Sequence, residues 1–172
     1  MKQRTRSREL ALQVLYQVDL LGSEILEDLD RRLGEMESAQ GARDFAKHLV
    51  LGTQRERLRL DEEIAAVAQN WNISRMAVVD RNVLRLAAYE ILCCDDIPPK
   101  VSINEAIELG KRFSTAQSGS FINGVLDRIK DRAPKRESKD SAAAREAKDR
   151  ELKDSEAKNS GAERPETLGT EP

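Results

Sequence analysis

Apolar side chains recur every three or four positions along most of the first 132 residues, which is the spacing of one face of an α-helix. Residues 7–21 and 23–36 form the first two such stretches. A longer one covers residues 43–69, where Gly52 and Asp61 are the points at which a helix would bend or restart. Nothing in these stretches alternates with the period of two that a half-buried strand requires.

Three further helices are predicted in the second half of this region. Residues 75–94 are strongly apolar, and the prolines at 98–99 end any helix that comes before them. Ser102 and Glu105 have the spacing of a capping box, whose two side chains satisfy free amide groups at a helix start. Apolar residues over 121–129 outline the last helix. The pattern therefore predicts an all-α fold of about seven helices.

The composition changes at about residue 133. Residues 133–172 contain no aromatic residue, isoleucine or valine, and Leu152 and Leu168 are their only large aliphatic residues. Such a segment cannot bury enough apolar surface to offset the entropy lost on ordering. We predict a helical domain over 1–132, followed by a charged, disordered tail over 133–172.

The overall charge and the cysteines limit the class of protein. With 29 Lys and Arg against 31 Asp and Glu, the charge is nearly balanced, so any basic site must be local. No apolar run approaches the ~20 residues that span a bilayer. Cys93 and Cys94 are adjacent in a helical stretch and cannot plausibly form a disulfide with each other. These features predict a cytoplasmic protein with reduced, packed cysteines.

The sequence lacks the usual patterns of catalytic and cofactor sites. His48 is its only histidine, which leaves no histidine cluster for a metal and no pair of histidines for acid–base chemistry. It also has no glycine-rich phosphate loop and no nucleophile elbow. Adjacent acids such as Glu62 and Glu63 are typical of a solvated face. We therefore predict a protein that is not an enzyme and needs no cofactor.

A basic segment at the N-terminus is the first candidate binding site. Lys2, Arg4, Arg6 and Arg8 alternate with small polar residues just before the first apolar turn. The planar guanidinium suits phosphate groups and base edges, and a flexible arm can settle into an RNA groove. The alternative is an ordinary frayed basic terminus, because four charges in seven residues are a weak signal.

Phe121 is the second candidate. It follows a polar loop at a helix start, where an aromatic ring could stack on an unpaired base. It also shares a helix side with Val125, and the sequence slightly favours packing in the core. The residues alone thus predict a helical binding module and go no further.

Four segments resemble the NusB family of bacterial transcription antitermination factors, in that family's order and spacing. They are Arg8-Glu-Leu-Ala-Leu-Gln-Val-Leu-Tyr16, Val83-Leu-Arg-Leu-Ala-Ala-Tyr-Glu-Ile-Leu92, Ile97-Pro-Pro-Lys-Val-Ser-Ile-Asn-Glu-Ala-Ile-Glu-Leu-Gly-Lys-Arg-Phe113 and Ser120-Phe-Ile-Asn-Gly-Val-Leu-Asp127. The resemblance covers residues 4–129 and leaves the tail unexplained. It implies two packed helical halves, at about 1–72 and 73–132.

The resemblance also implies a function. The family binds the boxA element of nascent RNA, notably from ribosomal RNA operons, together with the ribosomal protein NusE in the transcription elongation complex. By position, Arg4, Arg6 and Arg8 match the family's RNA-binding arm, and Phe121 matches its aromatic RNA contact. Thr5 interrupts a cluster that is often denser in arginine, which implies weaker RNA binding by the arm alone.

Two further positions are assigned a partner-binding role with less support. Asp80 falls where the resemblance places an acidic residue on the partner-facing side, and Tyr16 is either partner-facing or part of the core. Arg85 and Glu90 are expected to form an internal ion pair.

Two alternatives remain at the level of function. NusB-like domains also precede the catalytic domain of ribosomal RNA cytosine methyltransferases, but this chain has no strand-bearing segment that could form such a domain. The other alternative is a protein-interaction module, or a homodimer whose contact surface hides the RNA-binding face.

Overall fold

The computed structural model describes residues 2–134, 147–148 and 150. Within them the chain forms α-helices, two 3-10 segments (Ser23–Asp28 and Ile73–Arg75) and no strand, which confirms the predicted all-α fold. The α-helices are α1 (Lys2–Leu21), α2 (Leu29–Met36), α3 (Gln40–Arg55), α4 (Arg57–Val67), α5 (Val78–Cys93), α6 (Pro99–Phe113) and α7 (Ser118–Arg132). Apart from a few positions, the predicted disordered tail lies outside the described residues.

Helix α5 occupies the centre of the body, the helical part of the protein formed by residues 2–134. All its residues from Asn82 to Ile91 are buried, as expected for a helix that is apolar on most sides. Helices α1, α3 and α4 pack against it, and so do α6 and α7. One core therefore joins the helices on both sides of the connection between α4 and α5.

Several helix boundaries differ from those predicted. Helix α1 begins at Lys2, so the basic arm is its first two turns; Ser7 is buried there and donates a hydrogen bond to the carbonyl of Ala42 (2.8 Å). The long third stretch is divided at Glu56 rather than at Gly52 or Asp61.

The predicted capping box is wrong. Helix α6 already begins at Pro99, because a proline in the first turn loses no helical hydrogen bond. Ser102 is buried one turn later and donates to Glu90 (2.7 Å), while Glu105 accepts a hydrogen bond from Thr5 (3.0 Å).

The predicted ion pair between Arg85 and Glu90 is also wrong. Five positions apart on one helix, their side chains point about 140° away from each other. Arg85 instead donates to Asp61 (2.6 and 2.9 Å) and to Asp19 (3.3 Å). Burial alone would raise the pKa of Asp19, but hydrogen bonds from Arg81 and Asn82 and nearby arginine charges lower it overall.

Candidate nucleic-acid interface

Arg4 lies on the exposed side of the first turn of α1. Its Nη2 is 3.2 Å from a carboxylate oxygen of Asp96, and about half of its side chain is exposed. The guanidinium carbon also lies 4.6 Å from the centre of the Phe45 ring, close enough for a cation–π interaction. Arg4 is thus accessible while two neighbours hold it in place.

Arg6 is anchored more firmly. It donates hydrogen bonds to Glu37 (3.0 Å), to Glu9 (3.2 Å) and to the carbonyl of Met36 (3.2 Å), yet its side chain remains 39% exposed. The bond to Glu37, together with Glu9 and despite partial burial, raises the pKa of Arg6. Hydrogen bonds from the Ala39 amide and from Arg6 lower the pKa of Glu37. A guanidinium has five N–H groups, so this anchoring still leaves donors for a phosphate.

Arg8 differs from the other two arginines because its side chain lies inside the body. It is 3% exposed, and its Nε and Nη2 donate to the two carboxylate oxygens of Glu90 (2.7 and 3.0 Å). The family resemblance places Arg8 in an RNA-binding arm, but its buried side chain does not agree with a surface contact. The structure instead gives Arg8 the role of fixing α1 to α5.

Helix α6 continues the surface of the arm. Arg112, in its last turn, forms an ion pair with Glu9 of α1, and Thr5 bonds to Glu105 at its middle. A groove of about 430 Å³ separates the two helices at these contacts. The groove is lined by Glu9, Glu105 and Glu108 as well as by Arg112, so acidic side chains lie between the first turns of α1 and the basic end of α6.

Phe121 lies in the first turn of α7, half-buried against the core. Its ring packs against that of Trp71, with the ring centres 5.2 Å apart and the planes at 54°. Trp71 is 59% exposed. Phe121 therefore packs against the core and also lines a groove on each side of the aromatic pair. Trp71 is not among the residues predicted for the site, although a single tryptophan in a polar connection between helices could have indicated it.

Asp80 lies in the first turn of α5 and lines one of the two grooves beside Phe121. Ser118 donates to its Oδ2 (3.2 Å), and its Oδ1 is buried without a hydrogen-bond partner within the described residues. Tyr16 is 39% exposed on α1, which favours a surface role over a core one. The structure thus brings Asp80 to Phe121.

No three side chains of the metal-binding types come together among the described residues, and no helix in that part of the chain is long and apolar enough to cross a membrane.

Comparison with known proteins identifies the family. The model of the NusB family matches residues 5–131. The chain belongs to the NusB family. This confirms the resemblance drawn from the four segments, and membership of a family of antitermination proteins also confirms that the chain is not an enzyme.

The NusB relatives match the body of this chain closely. The antitermination protein NusB of Pelotomaculum thermopropionicum is 49% identical over 129 residues, which cover 73% of this chain and 88% of that protein. NusB of Anaeromyxobacter dehalogenans is 50% identical over 127 residues, covering 73% and 89%.

Solved NusB structures share the fold. NusB of T. maritima superposes with a TM-score of 0.70 at 40% identity, over 76% of this chain and 92% of that one. A chain from the crystal structure of antitermination factors NusB and NusE in complex with double-stranded RNA superposes with a TM-score of 0.68 at 30% identity, over 76% and 98%.

Proposed function

We propose that this protein is a cytoplasmic transcription antitermination factor that binds boxA RNA of nascent ribosomal RNA transcripts together with NusE, without catalysis. The observation that carries the proposal is the similarity to a chain from the complex of NusB, NusE and double-stranded RNA, which extends over 98% of that chain. The family match over residues 5–131 supports it, because it includes nearly the whole body.

The proposed RNA surface runs from the first turns of α1, along α6, to the start of α7. Lys2, Arg4 and Arg6 bind phosphates, and Phe121 stacks on an unpaired base. In the free protein, Arg4 and Arg6 are paired with Asp96 and Glu37. A bound phosphate therefore competes with these carboxylates for the guanidinium groups. Because each phosphate contact releases counterions from the RNA, the affinity for RNA should fall steeply as the salt concentration rises.

The proposed NusE contacts are Asp80 and Tyr16. Both are polar groups at the edge of the body, one at the start of α5 and the other on the exposed side of α1. A partner at Tyr16 leaves the first turns of α1 open to RNA, whereas at Asp80 it would lie beside the RNA contact Phe121.

The decisive experiment compares a labelled boxA RNA with a scrambled RNA at near-physiological salt, each with and without NusE. We expect a preference for boxA that increases when NusE is present. Equal and weak binding of both RNAs, unchanged by NusE, would contradict the proposal and favour a protein-interaction module.

The phosphate contact of Arg6 has a matched control in Arg31, an exposed arginine of α2 that is also held by two carboxylates, Asp28 and Glu35. We expect Arg6→Ala to weaken the binding of boxA and scrambled RNA alike. It should also reduce the slope of log affinity against log salt concentration by about one, which is the value for one lost phosphate contact. Arg31→Ala should leave both unchanged. Fluorescence anisotropy over a range of salt concentrations measures both quantities, and equal effects of the two variants would remove Arg6 from the site.

A further inference from the structure

Trp71 exposes a large apolar ring next to the proposed RNA surface. Its side chain is 59% exposed, whereas Phe121, against which it packs, is half-buried. Burying an indole gains more free energy than burying a smaller apolar side chain, so an exposed one beside a binding residue points to a ligand. Of the two rings, the indole offers more free surface.

The backbone around Trp71 is held in one conformation. Its amide donates to the carbonyl of Ala68 (3.0 Å), and the next residue, Asn72, accepts hydrogen bonds from the amide (3.0 Å) and hydroxyl (2.8 Å) of Ser74. Phe121 supports the indole from the side of α7. A ring that is ordered before binding loses little conformational entropy when a ligand stacks on it.

Grooves on the two sides of the aromatic pair carry arginines. One groove is lined by Arg128 and the other by Arg75, and each has a volume of about 310 Å³. Arg128 is anchored through a hydrogen bond from Nη1 to the carbonyl of Val67 (2.9 Å). Aromatic rings for bases, flanked by guanidinium groups for the backbone, are the arrangement that binds single-stranded nucleic acid.

From these observations we infer that Trp71 is a second stacking surface, which binds an unpaired base of the same RNA beside the base at Phe121. The inference rests on the proposed function and adds a residue to its site. The RNA it requires therefore has at least two unpaired bases close together, because a base inside a duplex has no free face to offer. A purely structural indole would only attach the connection before α5 to α7.

Trp71 is the only tryptophan in the chain, so intrinsic tryptophan fluorescence reports on this position alone. We expect boxA RNA to quench the emission of the full-length protein and to shield it from acrylamide. Trp71→Ala should weaken binding by roughly 5- to 150-fold, which corresponds to the loss of about 1–3 kcal/mol from one stacked base. Trp71→Phe should keep most of the affinity, because a phenyl ring also stacks.

Leu21→Ala is the matched control, because Leu21 is 71% exposed at the far end of α1 and its loss should not change RNA affinity. If RNA binds the wild-type protein without changing its tryptophan emission, and Trp71→Ala keeps the wild-type affinity, the inference fails and the proposed function stands. An emission change caused by NusE and not by RNA would assign Trp71 to a protein contact instead. If the wild-type protein binds neither RNA, the proposed function fails first. The fluorescence is measured on the wild-type protein, so the test holds even if a variant does not fold.

Discussion

Arg6 and Arg8 are two residues apart in the chain but have opposite environments. On a helix they point about 200° apart, so one faces solvent and the other faces α5. The sequence shows the alternation of basic and small residues, which is equally typical of a flexible arm. The partner of Arg8, Glu90, is 82 positions away, and no local pattern indicates that pairing.

Because of this difference, replacing Arg8 should mainly lower the stability of the fold, whereas replacing Arg6 should mainly lower the affinity for RNA. Arg8→Ala leaves the buried carboxylate of Glu90 without its cation, which should lower the free energy of unfolding by about 3–5 kcal/mol. Arg6→Ala removes a partly exposed pair and should cost no more than about 1 kcal/mol while weakening RNA binding. Urea denaturation measures the first quantity. Equal losses of stability in the two variants would show that the buried pair has no special energetic role.

Cys94 predicts a loss of stability at alkaline pH. Burial, with the charges of Glu90 and Asp96 nearby, raises the pKa of its thiol from 9.0 to about 12. The unfolded chain can then ionise above about pH 9 while the folded protein stays protonated, so folding is disfavoured as pH rises toward 12. The expected limiting slope is about 1.4 kcal/mol per pH unit.

The measurement is urea denaturation of the wild type and of Cys94→Ala at several pH values from about 8 to about 11. Other ionising groups are common to both proteins, so the difference between the two slopes isolates Cys94. Cys93→Ala serves as the control for a neighbouring, less buried thiol. Parallel slopes for the wild type and Cys94→Ala would contradict the prediction.

At the scale of helices, a glycine sets how closely α3 approaches α5. A Cβ atom on Gly52 would overlap the phenol ring of Tyr89, which is almost fully buried. Gly52→Ala should therefore destabilise the protein by about 1–3 kcal/mol through overpacking. Gly34 of α2 has open space around it, so Gly34→Ala should stabilise by about 0.5–1 kcal/mol. Thermal denaturation of both variants tests this pair, and a shift in the same direction would refute the packing argument.

Sequence periodicity predicted the helices well but their ends poorly. The burial of one helix face requires apolar residues at a regular spacing, and this pattern is local in the sequence. The spacing therefore indicated the helical stretches of the body. The ends depend on contacts from elsewhere, as when Ser7 bonds to Ala42 and keeps the first turns of α1 helical. The prolines at 98–99 end one helix and start the next, and only the former was predicted.

At the scale of the whole molecule, the core is shared by all the helices that surround α5. Arg8 ties α1 to α5, and Arg85 ties α5 to Asp61 of α4. We therefore expect residues up to 134 to unfold in one cooperative transition. The midpoints measured by tryptophan fluorescence and by far-ultraviolet circular dichroism should coincide, and separate midpoints would indicate that the two predicted halves unfold independently.

The candidate site was only partly readable from the sequence. The basic pattern at the N-terminus indicated Lys2, and the family resemblance indicated Arg4, Arg6, Arg8 and Phe121. The structure leaves these residues at least partly accessible, except for the buried Arg8. Trp71 could not be linked to Phe121, because the two are joined by folding and lie far apart in the chain. A single sequence gives no measure of such long-range pairs.

Helix α1 carries the proposed RNA contacts near one end and the proposed NusE contact Tyr16 further along. Its 20 residues span about 30 Å, and Arg4 and Tyr16 lie about 18 Å apart along its axis. The pairs Arg8–Glu90 and Asp19–Arg81 fix the helix to α5 at two levels, so it cannot slide. In the proposed complex, the helix would therefore fix the distance between the RNA contacts and the NusE contact. One inserted residue between Arg8 and Tyr16 would turn one proposed binding site by about 100° relative to the other, so insertions and deletions in this span should abolish joint binding of RNA and NusE.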